Sequence, residues 1–237
     1  MQVRIYKDAA TVAKAAAAVF ADEITKKDGC VIGLATGSTP VPTYQELIRL
    51  NQEGVVDFSK VISYNLDEYV GLAPDHPCSY RRFMNEQLFD HINIDKANTH
   101  VPDGLKCNAE EYEAMIHQAG GVDLQLLGIG SDGHIGFNEP ADEFVYPTNV
   151  VKLTETTRKD NARFFNSVDE VPTSAISMGI GTIMSARRIL MIITGKNKAD
   201  TVVAALKGPV VPQMPASILQ MHQNVLVLLD EDAASKL

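Results

Sequence analysis

Hydrophobic and polar positions follow two different periods along this chain, and the switches between them mark its elements. Val3-Arg4-Ile5-Tyr6 alternates residue by residue, the spacing of a short strand. Asp8 stands ready to cap the alanine-rich run behind it, which predicts a helix over 9–27 that Asp28-Gly29 ends. Residues 30–34 are apolar without alternation, as in a buried strand. The polar loop Thr36-Gly37-Ser38-Thr39-Pro40 follows, then a helix over 42–51 and a strand over 60–65. Strand, loop, helix and strand in that order make a βαβ unit with a parallel pair.

The alternation continues to the end of the chain. Helices are predicted over 79–91, 109–118, 156–165, 196–206 and 215–221, the third with a basic face. Strands are predicted over 122–129, 150–153, 175–178, 188–194 and 224–229. The first of these is the most apolar, which suits a parallel sheet covered on both faces. No linker, internal repeat or low-complexity segment interrupts the pattern. The expected architecture is a single α/β domain over 1–237: a doubly wound, mostly parallel sheet with helices on both faces, Rossmann-like. In such folds ligands bind beyond the carboxyl ends of the strands, so the loops there matter most.

Charge narrows the function classes. The 237 residues carry 30 acidic against 21 basic side chains, a net charge of −9, which argues against a nucleic-acid or anionic-membrane binder. An anionic ligand would need a local basic pocket. Cys30, Cys78 and Cys107 are irregularly spaced with no CxxC pair, so they signal neither zinc nor a redox pair; reduced thiols in a cytoplasmic protein are expected. The N-terminal segment lacks a signal-peptide core, and no apolar run is long enough to span a bilayer.

Three strand-end loops carry candidate chemistry. Gly37, Ser38 and Thr39 combine backbone freedom, hydroxyls and a following helix N-terminus, which suits a phosphate and equally suits an ordinary helix cap. Asn65-Leu66-Asp67-Glu68-Tyr69 sets two acids at a buried strand end, where either could be a general base or a solvated loop charge. The segment from Gly128 to Pro140 has glycines at 128, 130, 133 and 136 around Asp132, His134 and Glu139. A histidine flanked by carboxylates reads as an acid–base relay. A metal site is the weaker reading, because no second histidine stands at ligand spacing.

These segments together resemble the glucosamine-6-phosphate deaminases. The matching pieces are Ala35-Thr-Gly-Ser-Thr-Pro40, Asn65-Leu-Asp-Glu-Tyr-Val70, Asp132-Gly-His-Ile-Gly-Phe-Asn-Glu-Pro140 and Asn161-Ala-Arg-Phe-Phe165. Family members often have alanine at the place of Gly136 and glycine at that of Ser38, small residues in both cases. The resemblance implies conversion of glucosamine 6-phosphate and water to fructose 6-phosphate and ammonia, with no organic cofactor and no metal. It implies Asp67 as the base at C2, with His134 acting in ring opening, held by Asp132 and Glu139. It implies phosphate binding by Gly37, Ser38, Thr39, Arg163 and Lys198, the last chosen over Lys196 by alignment alone. The Arg163 segment would form part of a mobile lid. Glu68 receives no role.

The family's longer members are allosteric hexamers activated by N-acetylglucosamine 6-phosphate. Their basic activator positions align with Asn149 and Val151, though Lys152 stands close by. The expectation is therefore no activator site, and a monomer or a simple homo-oligomer. The alternatives are a 6-phosphogluconolactonase and a non-catalytic sugar-phosphate sensor domain. Phe137-Asn138-Glu139-Pro140 together with Asp67-Glu68 favours the deaminase over the first. A chain that opens on the first strand of the α/β domain leaves no room for the helix-turn-helix of the second.

Overall fold

A computed structural model describes all 237 residues. In chain order the elements are β1 (Gln2–Tyr6), α1 (Ala9–Lys26), β2 (Val31–Leu34), α2 (Val41–Gln52), β3 (Ile62–Asn65) and β4 (Asp67–Tyr69). There follow α3 (Tyr80–Gln87), β5 (Thr99–His100), α4 (Ala109–Gln118), β6 (Leu124–Leu127), β7 (Asn149–Lys152) and α5 (Glu155–Asn161). The last are β8 (Ser174–Ser177), α6 (Ile180–Met184), β9 (Arg188–Ile193), α7 (Ala199–Lys207) and β10 (Val225–Asp230).

The main sheet runs β1-β10-β9-β6-β2-β3-β5, and every neighbouring pair is parallel. Register assigns its faces. Ile32 stands beside Ser63 and Leu124, and Leu124 beside Arg188, so these side chains share one face. Arg188 reaches Glu23 of α1 there at 3.2 Å. Gly33 stands beside Tyr64 on the other face, where the Tyr64 hydroxyl donates to the Met115 carbonyl of α4 at 3.1 Å. Helices therefore cover both faces, as expected of a doubly wound fold.

The Asp8 side chain caps α1 through Thr11 N at 2.8 Å. Val12, Ala16, Phe20 and Ile24 then recur every fourth residue and are all buried, the stripe that seats α1 on the sheet. They belong to one core cluster of 47 buried residues, which includes most of β2, β6, β9 and β10.

One part of the strand pattern leads elsewhere. Strands predicted over 150–153 and 175–178 do not join the main sheet. As β7 and β8 they pair with β4 in a separate three-stranded antiparallel sheet, in the order β4-β8-β7. The physical sign is exposure: β7 alternates between half-buried and exposed positions, with Val150 49% exposed, so it is covered on one face only. Leu66 is the pivot between the sheets. Its N–H donates to Leu34 of β2, and its carbonyl accepts from Met178 N just past β8. The predicted strand at 60–65 thus continues, after one residue, into a second strand that carries Asp67 and Glu68. The 215–221 stretch is a 3-10 helix begun by Pro215, and Ala216 N is drawn to the Gly133 carbonyl at 2.9 Å. The short β5 and α6 carry too few residues for either period to register.

Candidate active site

The topology fixes where a ligand can enter. From β2 the chain builds outward through β3 to β5, then returns as β6 on the other side of β2. The loops leaving β2 and β6 diverge from this switch point and open a crevice at the carboxyl ends of the strands. A cleft of about 850 Å³ lies there, walled by the 36–40 loop, Asp67, His134, Arg163 and Lys198.

The β2 loop is shaped from beneath. Tyr44 of α2 is fully buried, and its hydroxyl donates to the Ala35 carbonyl and accepts from the Ala35 N–H. That clamp fixes where the strand ends. Gly37 then takes φ +102, a conformation disfavoured for residues with a Cβ. Ser38 is exposed and Thr39 half-buried on the cleft wall, and α2 begins at Val41 with no side-chain cap on its first turn. Its free N–H groups lie beside a loop of hydroxyls, an arrangement that suits a phosphate.

Asp67 opens β4 opposite Ser177 of β8. It is 6% exposed, and burial pushes its carboxyl up to about 8, with the charge of Glu68 adding to the rise. No cation offsets either effect. Asp67 thus stands as a desolvated carboxylate on the wall of a polar cleft, a strong base once ionised.

His134 is held from two sides. Its Nδ1 pairs with Asp132 Oδ1 at 2.7 Å, and the same oxygen accepts from His134 N at 3.1 Å. Burial acts to raise the Asp132 carboxyl, but the hydrogen bonds and charge of His134 outweigh it and hold Asp132 below its ordinary value. The carboxylate fixes the imidazole with Nε2 as the free nitrogen. The ring lies against the backbone of Gly130, where a Cβ would stand 2.2 Å from the imidazole. Gly130 N donates to the His134 carbonyl and Gly133 N to the Gly130 carbonyl, so the glycines fold the loop around the histidine.

Glu139 is not brought to this imidazole. Its carboxylate accepts from Thr154 N at 3.0 and 3.3 Å, and Thr154 is the N-cap of α5. The side chain lines a smaller cavity of about 280 Å³ beside the 137–145 stretch, together with Val151 and Lys152.

The two expected cations reach the main cleft. Lys198 Nζ donates to the Ile129 carbonyl at 2.9 Å, and burial lowers its pKa against the opposing pull of Asp160 and Asp132. Lys196 is exposed and does not line the cleft, so the structure separates two lysines that the local sequence leaves equal. Arg163 is exposed at the rim, its guanidinium 4.7 Å from the centre of the Phe164 ring, on a 3-10 turn that follows α5.

Several wall residues carry no sequence signal. Tyr80 opens α3 and stacks on Phe137, with ring centres 6.1 Å apart and planes 11° apart. Its hydroxyl donates to that of Tyr69 at 3.2 Å, and Tyr69 meets Phe165 edge-on. Cys78 Sγ–H donates to the Phe164 carbonyl at 3.0 Å. The Arg163 segment is thereby docked against the wall that α3 begins. No group of three or more His, Cys, Asp or Glu side chains is placed to hold a metal ion.

Comparison with known proteins places this geometry among relatives. A family profile described as glucosamine-6-phosphate isomerases/6-phosphogluconolactonase matches residues 7–228. A glucosamine-6-phosphate deaminase of Clostridium perfringens is 52% identical, with all of both chains covered. A protein of the same name from Shewanella woodyi is 52% identical over all of this chain and 91% of its own length. A solved structure described as a monomeric glucosamine-6-phosphate deaminase superposes with a TM-score of 0.97 at 44% identity, covering both chains completely. The 6-phosphogluconolactonase of Thermotoga maritima shares the fold at a TM-score of 0.76 and 21% identity, over 97% of this chain and 99% of its own.

Proposed function

We propose, because the chain belongs to the glucosamine-6-phosphate isomerase/6-phosphogluconolactonase family, that its cleft converts glucosamine 6-phosphate and water to fructose 6-phosphate and ammonia. The observation that carries this reading is Asp67: a buried, unpaired carboxylate on the wall that faces a phosphate-sized loop and a carboxylate-held histidine. Relatives about half identical over the whole of this chain bear the deaminase name, whereas the lactonases are similar in fold alone.

The chemistry follows from the substrate. His134 moves a proton from the O1 hydroxyl to the ring oxygen, which opens the sugar and leaves an aldehyde at C1. The hydrogen at C2 is then acidic, and Asp67 removes it while O1 takes up a proton released by the C2 ammonium, which gives an enolamine with a double bond between C1 and C2. Return of that proton to C1 leaves an imine at C2. Water adds there and ammonia departs, giving the ketose. A carboxyl that is hard to ionise binds the abstracted proton well, so burial of Asp67 favours its capture. Asp132 keeps the imidazole in one tautomer throughout. Gly37, Ser38, Thr39, Arg163 and Lys198 are assigned to the phosphate, and Glu139 to the start of the segment that carries Arg163.

We further infer a monomer without activation by N-acetylglucosamine 6-phosphate. The relative described as monomeric covers the whole chain, and Asn149 and Val151 offer no charge to an anionic effector. No helix is long and apolar enough to cross a membrane.

The test is a paired product assay with no added metal or cofactor. Wild-type protein given glucosamine 6-phosphate should release ammonia and fructose 6-phosphate in equal amounts, and Asp67→Asn should release neither. Fructose 6-phosphate without ammonia, or turnover of 6-phosphogluconolactone in place of the amino sugar, would overturn the reading.

A further inference from the structure

Glu68 is 2% exposed, yet it makes no ion pair. Its carboxylate is spent on backbone. Oε1 accepts from Tyr69 N at 2.8 Å and from Tyr80 N at 3.0 Å, and Oε2 accepts from Arg81 N at 3.0 Å. Tyr80 and Arg81 are the first two residues of α3, whose local cap is Ser79. A carboxylate from a different element thus closes the positive end of this helix. Successive side chains on a strand point to opposite faces, so Asp67 is directed to the cleft while Glu68 turns back to α3.

We propose that Glu68 is a positioning residue: it anchors α3, and with it the Tyr80 wall of the cleft, and it holds a second negative charge beside Asp67. The proposal rests on the reading of Asp67 as the base. Two observations carry it beyond an ordinary helix cap. First, no cation pairs with Glu68, and the charge of Arg81 acts on it only from a distance. The Arg81 guanidinium turns away, donating to Thr99 Oγ1 at 2.8 Å and to the Thr99 carbonyl at 2.7 Å. Second, the titratable groups packed against Asp67 supply no positive charge. They are Glu68 and Tyr69 on its own strand, Tyr44 from α2, Tyr80 from α3 and Tyr112 from α4; His134, Arg163 and Lys198 line the cleft that Asp67 faces but do not act on its carboxyl, which only burial and Glu68 shift. The charge of Glu68 therefore reaches Asp67 through a dry interior, where screening is weak. Burial also raises the Glu68 carboxyl, against the pull of its three N–H donors and Arg81.

A group that only caps a helix and one that also sets the base differ in what substitution does. Glu68→Gln removes the charge and turns a donor toward one of the α3 N–H groups. Glu68→Asp keeps the charge but falls one methylene short of α3. The experiment follows ammonia release across the pH range in wild type and both variants. In parallel, the Asp67 carboxyl is titrated by carbon-13 NMR in substrate-free protein, assigned with Asp67→Asn.

In Glu68→Gln the Asp67 midpoint and the acidic limb of kcat/KM should both move down by roughly one pH unit, and kcat at alkaline pH should fall a few-fold. In Glu68→Asp the limb should stay near the wild-type position while KM rises. If Glu68→Gln does not fold, the aspartate variant still decides, since a moved limb or an unchanged KM contradicts the proposal. An Asp67 midpoint indifferent to Glu68→Gln overturns it as well. Failure of the deaminase reading would look different: wild type would release no ammonia, while the NMR midpoint would still report whether Glu68 acts on Asp67.

Discussion

At the scale of single residues, Asp67 sets an opposition between activity and stability. Its folded-state carboxyl keeps a proton up to about pH 8, whereas the unfolded chain gives that proton up in the ordinary carboxyl range. The stability it contributes is therefore complete at low pH and is lost as pH rises towards 8. An asparagine side chain in its place has no such proton to lose. Asp67→Asn should abolish turnover and yet make the protein more stable than wild type at pH 9, by an amount on the order of a few kcal/mol, with little difference at pH 4. Urea unfolding at the two pH values checks this, and an equal gap at both would count against it. The same carboxyl makes wild-type activity rise with pH through its acidic limb. Gly130 offers a second test, since a methyl there would collide with the imidazole. Gly130→Ala should lower kcat at least tenfold with little change in phosphate affinity, as measured by inorganic phosphate inhibition.

Much of this was readable in the residues themselves. The Asp132–His134 pairing follows from a two-residue spacing in a glycine-rich turn, and the structure shows it at 2.7 Å. What could not be read depends on contacts between distant segments. Nothing in the sequence near Tyr44 announces that its hydroxyl clamps Ala35, and nothing near Glu68 announces α3. Glu139 shows the limit from the other side: its position in the motif suggests the imidazole, but its carboxylate lies on the Thr154 amide.

At the scale of elements, α5 has only seven residues, too few to be stable alone. It is held by Glu139 at its start and, after its end, by Cys78 and Tyr69 against the Phe164–Phe165 stretch. Glu139→Gln should therefore raise KM for the sugar phosphate several-fold while changing kcat less, because Arg163 loses its placement. Steady-state kinetics test this, and a fall in kcat with constant KM would assign Glu139 to the chemistry instead. Element type was legible wherever a period ran long enough. The helix at 109–118 matches α4 at both ends, and the first helix differs from α1 by one residue. Partnership was not legible, because strand periodicity reports which face is buried and not which neighbour lies alongside. That is why β7 and β8 read as members of the main sheet when they build a second one around Asp67.

At the scale of the whole molecule, a chain of net charge −9 must bind an anion against its own field. The cleft answers with one half-buried lysine, one rim arginine and unpaired helix N–H groups. The arginine is exposed and screened, whereas the lysine is not. KM for the sugar phosphate should rise modestly with salt, and Lys198→Ala should raise it more than Arg163→Ala. Inhibition by inorganic phosphate in both variants provides the control. Sedimentation should give a single species near 25.8 kDa, unchanged by N-acetylglucosamine 6-phosphate. A larger species, or a rate increase with that sugar, would refute the monomer.

The pairing of β1 with β10, Gln2 beside Leu226 through Tyr6 beside Asp230, also dictates an order of assembly. β1 is the outermost strand and pairs with no other strand of the sheet, so during synthesis it has no partner until β10 has been made. At typical rates of synthesis that is a wait on the order of ten seconds or more. Meanwhile β2, β3 and β6 can close the centre of the sheet and the cleft above it. The chain should pass through a stage in which the site is formed but the outer edge is open, with Val3 and Ile5 free. Closing that edge joins the strand of the sheet nearest the start of the sequence to the one nearest its end, so it should be the slow step, because its loop-closure cost is the largest in the sheet.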